Sequence, residues 1–175
     1  MTIRNSVRLA LLATTMLGAG TALNALAATQ TSTLNVSATI SNVCAISTTT
    51  GVAFGTYDPV TANATTALTA TGSLSVTCTS GATEPVITLD VGSNPNVAGS
   101  AAVPQRQMIS AGNLLAYFLY QDSGYSTVWG NTAGSGESYT GTGTASTLTV
   151  YGSIPAGQNV PAGSYADSVV ATVTY

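Results

Sequence analysis

The strongest constraint on the fold is a strict alternation of apolar or small residues with hydroxyl residues between positions 68 and 78. Every residue between the members of the apolar row is threonine or serine. Because successive side chains of a β-strand point to opposite faces, this period of two predicts a strand with one buried face. Gly72 interrupts the apolar row and is a candidate position for a β-bulge. The row ends on Cys78, which this pattern aims at the buried side.

Further short strands are predicted along the chain, separated by turns rich in glycine, proline and asparagine. They cover residues 85–91, 148–154 and 165–175, and the nearly continuous apolar run 114–120 predicts a central strand buried on both faces. Outside residues 1–27, no segment combines a sustained helical period with capping residues. The pattern therefore predicts an all-β antiparallel sandwich with a single domain over residues 43–175.

Residues 1–27 have the features of a secretory signal peptide. Arg4 and Arg8 form a basic start, an apolar stretch follows, and residues 25–27 read Ala-Leu-Ala, a cleavage pattern. A membrane anchor is the alternative, which the short apolar stretch disfavours. Cleavage would leave Arg106 as the single cation against six acidic residues. Nucleic acid and anionic lipid are therefore poor partners, because both require basic patches.

Both ends of the mature chain alternate in the same way and carry almost no charge. At the start, an arm over residues 28–42 places four side chains on one face of a strand: Leu34, Val36, Ala38 and Ile40. Soluble proteins usually protect edge strands with lysine or proline, yet this chain contains no lysine. Such ends predict a protein that adds strands to its neighbours. The alternative is an arm that pairs within its own domain as an ordinary first strand.

No catalytic constellation is found, so the chain is not expected to be an enzyme or to bind a cofactor or metal. It has no histidine, which excludes Ser-His-Asp and Cys-His catalysis as well as histidine zinc sites. Asp90, Asp122 and Asp167 show no spacing that selects a catalytic pair, although a loose calcium site stays open as an alternative. In an exported chain, the two cysteines are expected to form one disulfide.

The aromatic residues have two interpretations. One is a sugar-binding stack, and the other, which we favour, is packing in the core or at strand ends. Tyr165 is expected to hydrogen-bond a neighbouring loop in the manner of a tyrosine corner. Arg106 is expected to pair with an acidic residue. The aromatic residues concerned are Tyr117, Tyr120, Tyr125, Trp129, Tyr139, Tyr151, Tyr165 and Tyr175.

Taken in order, several segments of the chain resemble the spore coat protein U domain family, which includes subunits of archaic chaperone–usher pili. Each segment is weakly specific alone, but the ordered set spans the mature chain. The segments are Cys44 with residues 52–57, then 74–78, 115–120, 128–130, 150–154 with Gln158, and 163–169.

The resemblance implies an incomplete immunoglobulin-like sandwich that lacks its final strand and is completed by a donor strand. The family disulfide falls on Cys44 and Cys78, and the donor strand falls on Leu34, Val36, Ala38 and Ile40. The last strand, which borders the groove and faces a chaperone, falls on Val169, Ala171, Val173 and Tyr175. The implied partners are a periplasmic chaperone, an outer-membrane usher and identical or related subunits in a head-to-tail polymer.

The function implied by the resemblance is a structural subunit, in the shaft rather than at the tip, of a surface pilus that supports adhesion and biofilm formation. The protein would pass through the periplasm to the cell surface. A secreted protective protein of the spore-coat type is the first alternative. A carbohydrate-binding module that uses tyrosine and tryptophan is the second.

Overall fold

The computed structural model describes residues 28–175; the signal peptide expected over residues 1–27 lies outside them. The chain divides into two compact units after Ala38. Residues 28–38, the described part of the first unit, have no regular secondary structure and are exposed. Every strand belongs to the second unit, Thr39–Tyr175. No helix within residues 28–175 is long and apolar enough to cross a membrane.

The second unit is an all-β fold made of antiparallel strands. A 3-10 turn at Ala133–Ser135 is the one helical element among the described residues. The strands are β1 (Cys44–Thr50), β2 (Leu68–Cys78), β3 (Val86–Leu89), β4 (Arg106–Ser110), β5 (Asn113–Tyr120), β6 (Glu137–Ser138), β7 (Ser146–Ile154) and β8 (Ala171–Thr174). They form a five-stranded sheet with the order β1-β2-β7-β5-β4 and a three-stranded sheet with the order β6-β3-β8. The predicted fold class is confirmed.

The core combines the inward rows of both sheets. Val76 and Leu119 represent the large sheet, Ile87 and Leu89 the small one, and Trp129 is buried with them. Along β2 and β7 the inward positions are those of the predicted apolar rows. The period of two was therefore sufficient to assign the buried face of these strands.

The prediction that the run 114–120 is buried on both faces is wrong. In β5, Leu115, Tyr117 and Leu119 are buried, whereas the residues between them are half-buried and Leu114 is exposed. An antiparallel sandwich has only one inner face per sheet, so the second apolar row of β5 lies on the outside. The aromatic ring of Tyr125 packs over part of that outer row.

Gly72 does not mark a bulge in β2. The register between β2 and β7 is continuous, and the irregular pairing lies between Thr48 and Thr50 of β1. A Cβ atom on Gly72 would come within 2.8 Å of both the Thr50 carbonyl oxygen and the Val52 side chain. The glycine is needed for this close approach of the chain that follows β1.

Candidate functional site

One side of the sandwich is left open between two strand edges. β1 ends the order of the large sheet and β8 ends that of the small sheet. Within the described residues, β1 pairs only with β2 and β8 pairs only with β3. Each strand therefore has an edge whose backbone groups have no strand partner. Such edges are the usual place for a further strand to bind.

A groove lined by apolar and polar side chains lies at this opening. It has a volume of about 470 Å³ and continues into a second cavity of about 630 Å³. Both are lined by Val52, Phe54, Met108 and Tyr165. The first cavity is also lined by Thr50 at the end of β1 and Gly51 after it, by Leu74, Leu89, Leu119 and Val150 from the core, and by Val169 and Ala171 of the last segment. We call the two cavities together the groove.

The floor of the groove includes the segment 51–57, which belongs to no strand. Val52 and Phe54 approach the inner face of the large sheet at Gly152, where an added Cβ would lie 2.6 Å from the Val52 Cγ1 atom and 2.7 Å from the Phe54 Cζ atom. The Phe54 ring also meets the Tyr117 ring edge-on, with 6.1 Å between centroids. Glycines interrupt the apolar rows of β2 and β7 at Gly72 and Gly152. In the sequence, these two interruptions are the signal that could have predicted where residues 51–57 pack against the sheet.

The expected disulfide between Cys44 and Cys78 is present. The two residues are directly opposite each other on β1 and β2, and their Cα atoms are 4.1 Å apart. The bond therefore attaches β1, the strand beside the opening, covalently to the sheet.

Only part of the last segment of the chain borders the groove, although the whole of it was expected to do so. Val169, Ala171 and Val173 pack against the core, and the first two line the groove or its margin. Tyr175 differs, because it follows the final paired residue, is 58% exposed and lines a separate cleft beside Thr172 and Thr174 on the outer face of the small sheet. Its assignment to the groove-facing row is corrected: beyond the end of β8, sheet pairing no longer determines the direction of the side chain.

Arg106 does not pair with an acidic residue, so that prediction is wrong. Its side chain is completely buried, and the guanidinium donates hydrogen bonds to three backbone carbonyls, those of Asp90 at 2.8 Å, Leu89 at 3.0 Å and Trp129 at 2.9 Å. Burial lowers the pKa of Arg106, and the nearby negative charges of Asp90 and Asp167 oppose this shift. Arg106 of β4 thereby joins the large sheet to the end of β3.

Asp167 makes a second polar link beside the groove. Tyr117 donates its hydroxyl hydrogen to the carboxylate at 2.7 Å, and the backbone N–H of Ser93 donates to the same carboxylate at 2.9 Å. Burial and then this hydrogen bond raise the pKa of Tyr117 well above its ordinary value. The phenol therefore stays neutral and serves as a donor that holds the last segment over β5.

The aromatic residues form no open sugar-binding stack around the tryptophan. Trp129 is buried and donates its indole N–H to the Ile87 carbonyl at 2.8 Å. The Tyr165 hydroxyl donates to the Pro161 carbonyl at 2.8 Å, which confirms the expected corner-like contact. Tyr125 meets the rings of Tyr120 and Tyr151 edge-on, at 5.6 Å and 6.3 Å between centroids. This arrangement attaches the loop after β5 to the outer sheet face.

The arm has the exposure that strand donation requires. Leu34, Val36 and Ile40 are 86%, 87% and 84% exposed, and Ala38 is exposed as well. Residues 28–43 contain no regular secondary structure. The predicted strand is therefore not formed there in the single chain.

As for metal sites, no group of three or more histidine, cysteine or acidic residues that could hold an ion occurs within residues 28–175.

The fold defines the class of protein. The chain superimposes on a chain of the crystal structure of the CsuC–CsuE chaperone–tip adhesion subunit pre-assembly complex, from the archaic chaperone–usher Csu pili of Acinetobacter baumannii. The TM-score is 0.55 at 24% sequence identity, over 78% of the present chain and 40% of the other. The match spans less than half of that larger chain and shows that the two share a sandwich-like fold.

The sequence comparisons define the family. The Spore Coat Protein U domain model matches residues 30–172, so the chain belongs to this family. Protein U of Myxococcus xanthus is 46% identical over 156 residues, which cover 85% of the present chain and 87% of that relative. The resemblance inferred from the ordered sequence segments is confirmed.

Proposed function

We propose that the protein is a structural subunit of a surface pilus and polymerises by donating its arm to the groove of another copy. The observation that carries the proposal is the groove between the unpaired edges of β1 and β8, where core side chains such as Leu74 and Val150 are accessible. An added strand would gain main-chain hydrogen bonds from these edges, while its alternate side chains would enter the groove. The fold that the chain shares with a chaperone–usher pilus protein supports the same function.

The arm has the composition that such an occupant requires. Burial of Leu34, Val36 and Ile40, which are now exposed, would each contribute about 1.5–3 kcal/mol before the cost of ordering the arm. Asn35, Ser37 and Thr39 alternate with them and would face water. Ala38 is the one small side chain in the donor row and would either fit a shallow part of the groove or ease strand exchange.

The proposed partners follow from this mode of assembly. A periplasmic chaperone would occupy the groove before assembly, since an open groove with apolar side chains favours non-specific association. An outer-membrane usher would be the place of exchange. A contact between the arm of one copy and the groove of the next is of the head-to-tail kind, which generates open filaments. A single domain with its own arm is suited to the shaft, where it would support adhesion and biofilm formation as part of the fibre.

A secreted coat protein is the second candidate, favoured by the family name and by the similarity to Protein U of Myxococcus xanthus. In this role the same strand exchange would build a protective layer. Immunogold microscopy of intact cells and spores separates the two: label along extended fibres supports the pilus, and a uniform layer on spores supports the coat.

The test of strand donation compares two substitutions in adjacent arm positions. Val36→Asp would place a carboxylate among the apolar side chains of the groove, whereas Ser37→Asp would place the same group on the water-facing row. We expect the first to abolish the ladder of polymers that resists SDS without boiling and the second to preserve it. Deletion of residues 28–41 should also abolish the ladder.

The same samples test the alternative role of the arm. If the arm paired within its own domain, its deletion would lower the melting temperature of the monomer. Polymers of normal length from the Val36→Asp variant or from the deleted chain would contradict strand donation.

A further inference from the structure

We infer that a cleft on the outer face of the three-stranded sheet binds an uncharged oligosaccharide. The cleft has a volume of about 440 Å³, within the range of small-molecule sites. Six side chains with polar groups line it: Glu84, Thr88, Asn131, Thr172, Thr174 and Tyr175.

The register of the small sheet places the hydroxyl groups together. Thr88 of β3 lies opposite Thr172 of β8, and Thr174 lies opposite Val86. These positions alternate with Ile87 and Leu89, which are buried in the core. The cleft is therefore on the opposite face of the same two strands from the core and the groove. A strand bound in the groove would leave it open.

Glu84 is held in the cleft in an unfavourable backbone conformation. Its φ angle is +61°, in the left-handed region, and the next residue is Pro85. A residue with a side chain rarely adopts this region, and a following proline restricts the residue before it to extended conformations. Strain of this kind costs about 1–3 kcal/mol and is concentrated at ligand sites. The strained residue here is the one that supplies the carboxylate.

The polar groups of the cleft are free to bind a ligand. Within residues 28–175, none of these six side chains makes a hydrogen bond to another group of the protein. The side chains of the four aspartates, by contrast, all have hydrogen-bond partners within the chain. Asp58, Asp90, Asp122 and Asp167 each accept hydrogen bonds from nearby N–H or O–H groups. The carboxylate of Glu84 has no such partner and is directed to an open cleft.

The set of groups matches the chemistry of a sugar. A carboxylate accepts hydrogen bonds from neighbouring hydroxyls, an amide and three threonine hydroxyls both donate and accept, and an aromatic ring packs against C–H groups. An acidic sugar is disfavoured, because Glu84 would repel it and the one cation of the described chain, Arg106, is buried in the core. A neutral oligosaccharide is therefore the ligand class with the best complementarity.

The test uses the full exported chain, purified from the surface of cells that produce it. Saturation-transfer NMR with cellotetraose, chitotetraose and mannotetraose provides the neutral probes, and tetragalacturonate and spermidine provide charged ones. We expect binding of a neutral probe and about a tenfold or greater loss of affinity in Glu84→Gln. Glu137→Gln, the same change at the other glutamate of the sheet, should leave binding unchanged.

A second pair of variants removes a hydroxyl from each sheet. Thr88→Ala should weaken binding severalfold, while Thr71→Ala, on the outer face of β2, should not. Failure of every neutral probe to bind, binding of spermidine alone, or affinities that the Glu84 and Thr88 variants leave unchanged would each overturn the inference. The cleft does not depend on strand donation, so loss of polymers in the arm variants would leave this result unaffected.

Discussion

The two sides of the sandwich use the same kinds of strands but differ in how their edges are treated. On the closed side, Ala166 and Ile109 of β4 donate backbone hydrogen bonds to each other. The carbonyl of Val170 then accepts a hydrogen bond from the backbone N–H of Asp90, just after β3. The last segment thus passes from the large sheet to the small sheet and covers the gap. On the open side, β1 and β8 face the groove with unpaired edges. The last segment thus closes one side of the sandwich, whereas the other side keeps two free strand edges.

Polar side chains tie β4 and the last segment to the rest of the sandwich, partly at the wall of the groove itself. Arg106 donates hydrogen bonds to three backbone carbonyls near the end of β3 and at Trp129. The carboxylate of Asp167 accepts hydrogen bonds from Tyr117 and Ser93. The groove is lined by both apolar and polar side chains, and the disulfide lies at the opposite end of β1 from it. These links hold the closed side together, while the free edges of β1 and β8 keep backbone groups that a partner strand can use.

The largest effect is expected from Arg106→Met. The substitution leaves three buried carbonyls without a donor, so we expect the free energy of unfolding to fall by about 4 kcal/mol, after the relieved desolvation of the guanidinium is counted. Arg106→Lys should recover little, because an ammonium group cannot reproduce the planar fork. Urea denaturation of both variants measures the loss. Stability equal to that of the wild type would refute the assigned role of the closed side.

Removal of the disulfide tests the border of the open side. The Cys44→Ser/Cys78→Ser double variant should lose about 3–4 kcal/mol, the value expected for a crosslink that closes a loop of this size, with a separation of 34 residues. Thermal unfolding with and without reductant provides the measurement. The wild type in reductant should approach the double variant, and equal melting temperatures throughout would show that β1 is held without the bond.

The floor of the groove is tested by a matched pair of glycine substitutions. Gly152→Ala would place a Cβ atom against Val52 and Phe54, so it should cost about 2 kcal/mol through overpacking. Gly51→Ala meets no atom within 4 Å and should cost much less. Chemical denaturation compares the two. If they destabilise equally, residues 52–54 do not press on the sheet as described.

The smallest effect concerns pH and the loop that begins beside the groove. Hydrogen bonds from Thr61 and Val60 lower the pKa of Asp58 to about 2. Because the folded pKa lies below the unfolded value, this contribution is present above about pH 4 and is lost as the pH falls toward 2. Asp58→Asn should therefore flatten the dependence of stability on pH in this window. Parallel curves for the two proteins would contradict the assignment.

Local patterns predicted the parts of the protein that depend on neighbouring residues. The alternation in β2 and β7 indicated their buried faces, and two cysteines in a chain expected to be exported indicated one bond. The ordered segments also indicated the family before any coordinates. These predictions succeed because the direction of a side chain in a strand repeats every two residues, whatever the partner strand is.

The remaining features were decided by tertiary structure, because they depend on which distant segments meet. Composition could not show that Arg106 binds carbonyls of β3 and of the Trp129 loop, since pairing with carboxylates is equally compatible with its charge. The apolar run of β5 could not reveal that one of its faces lies outside. The sequence by itself determined the buried faces of β2 and β7, the disulfide and the family. Only the tertiary structure decided which edges are sealed, because edge pairing arises from long-range register and not from local periodicity.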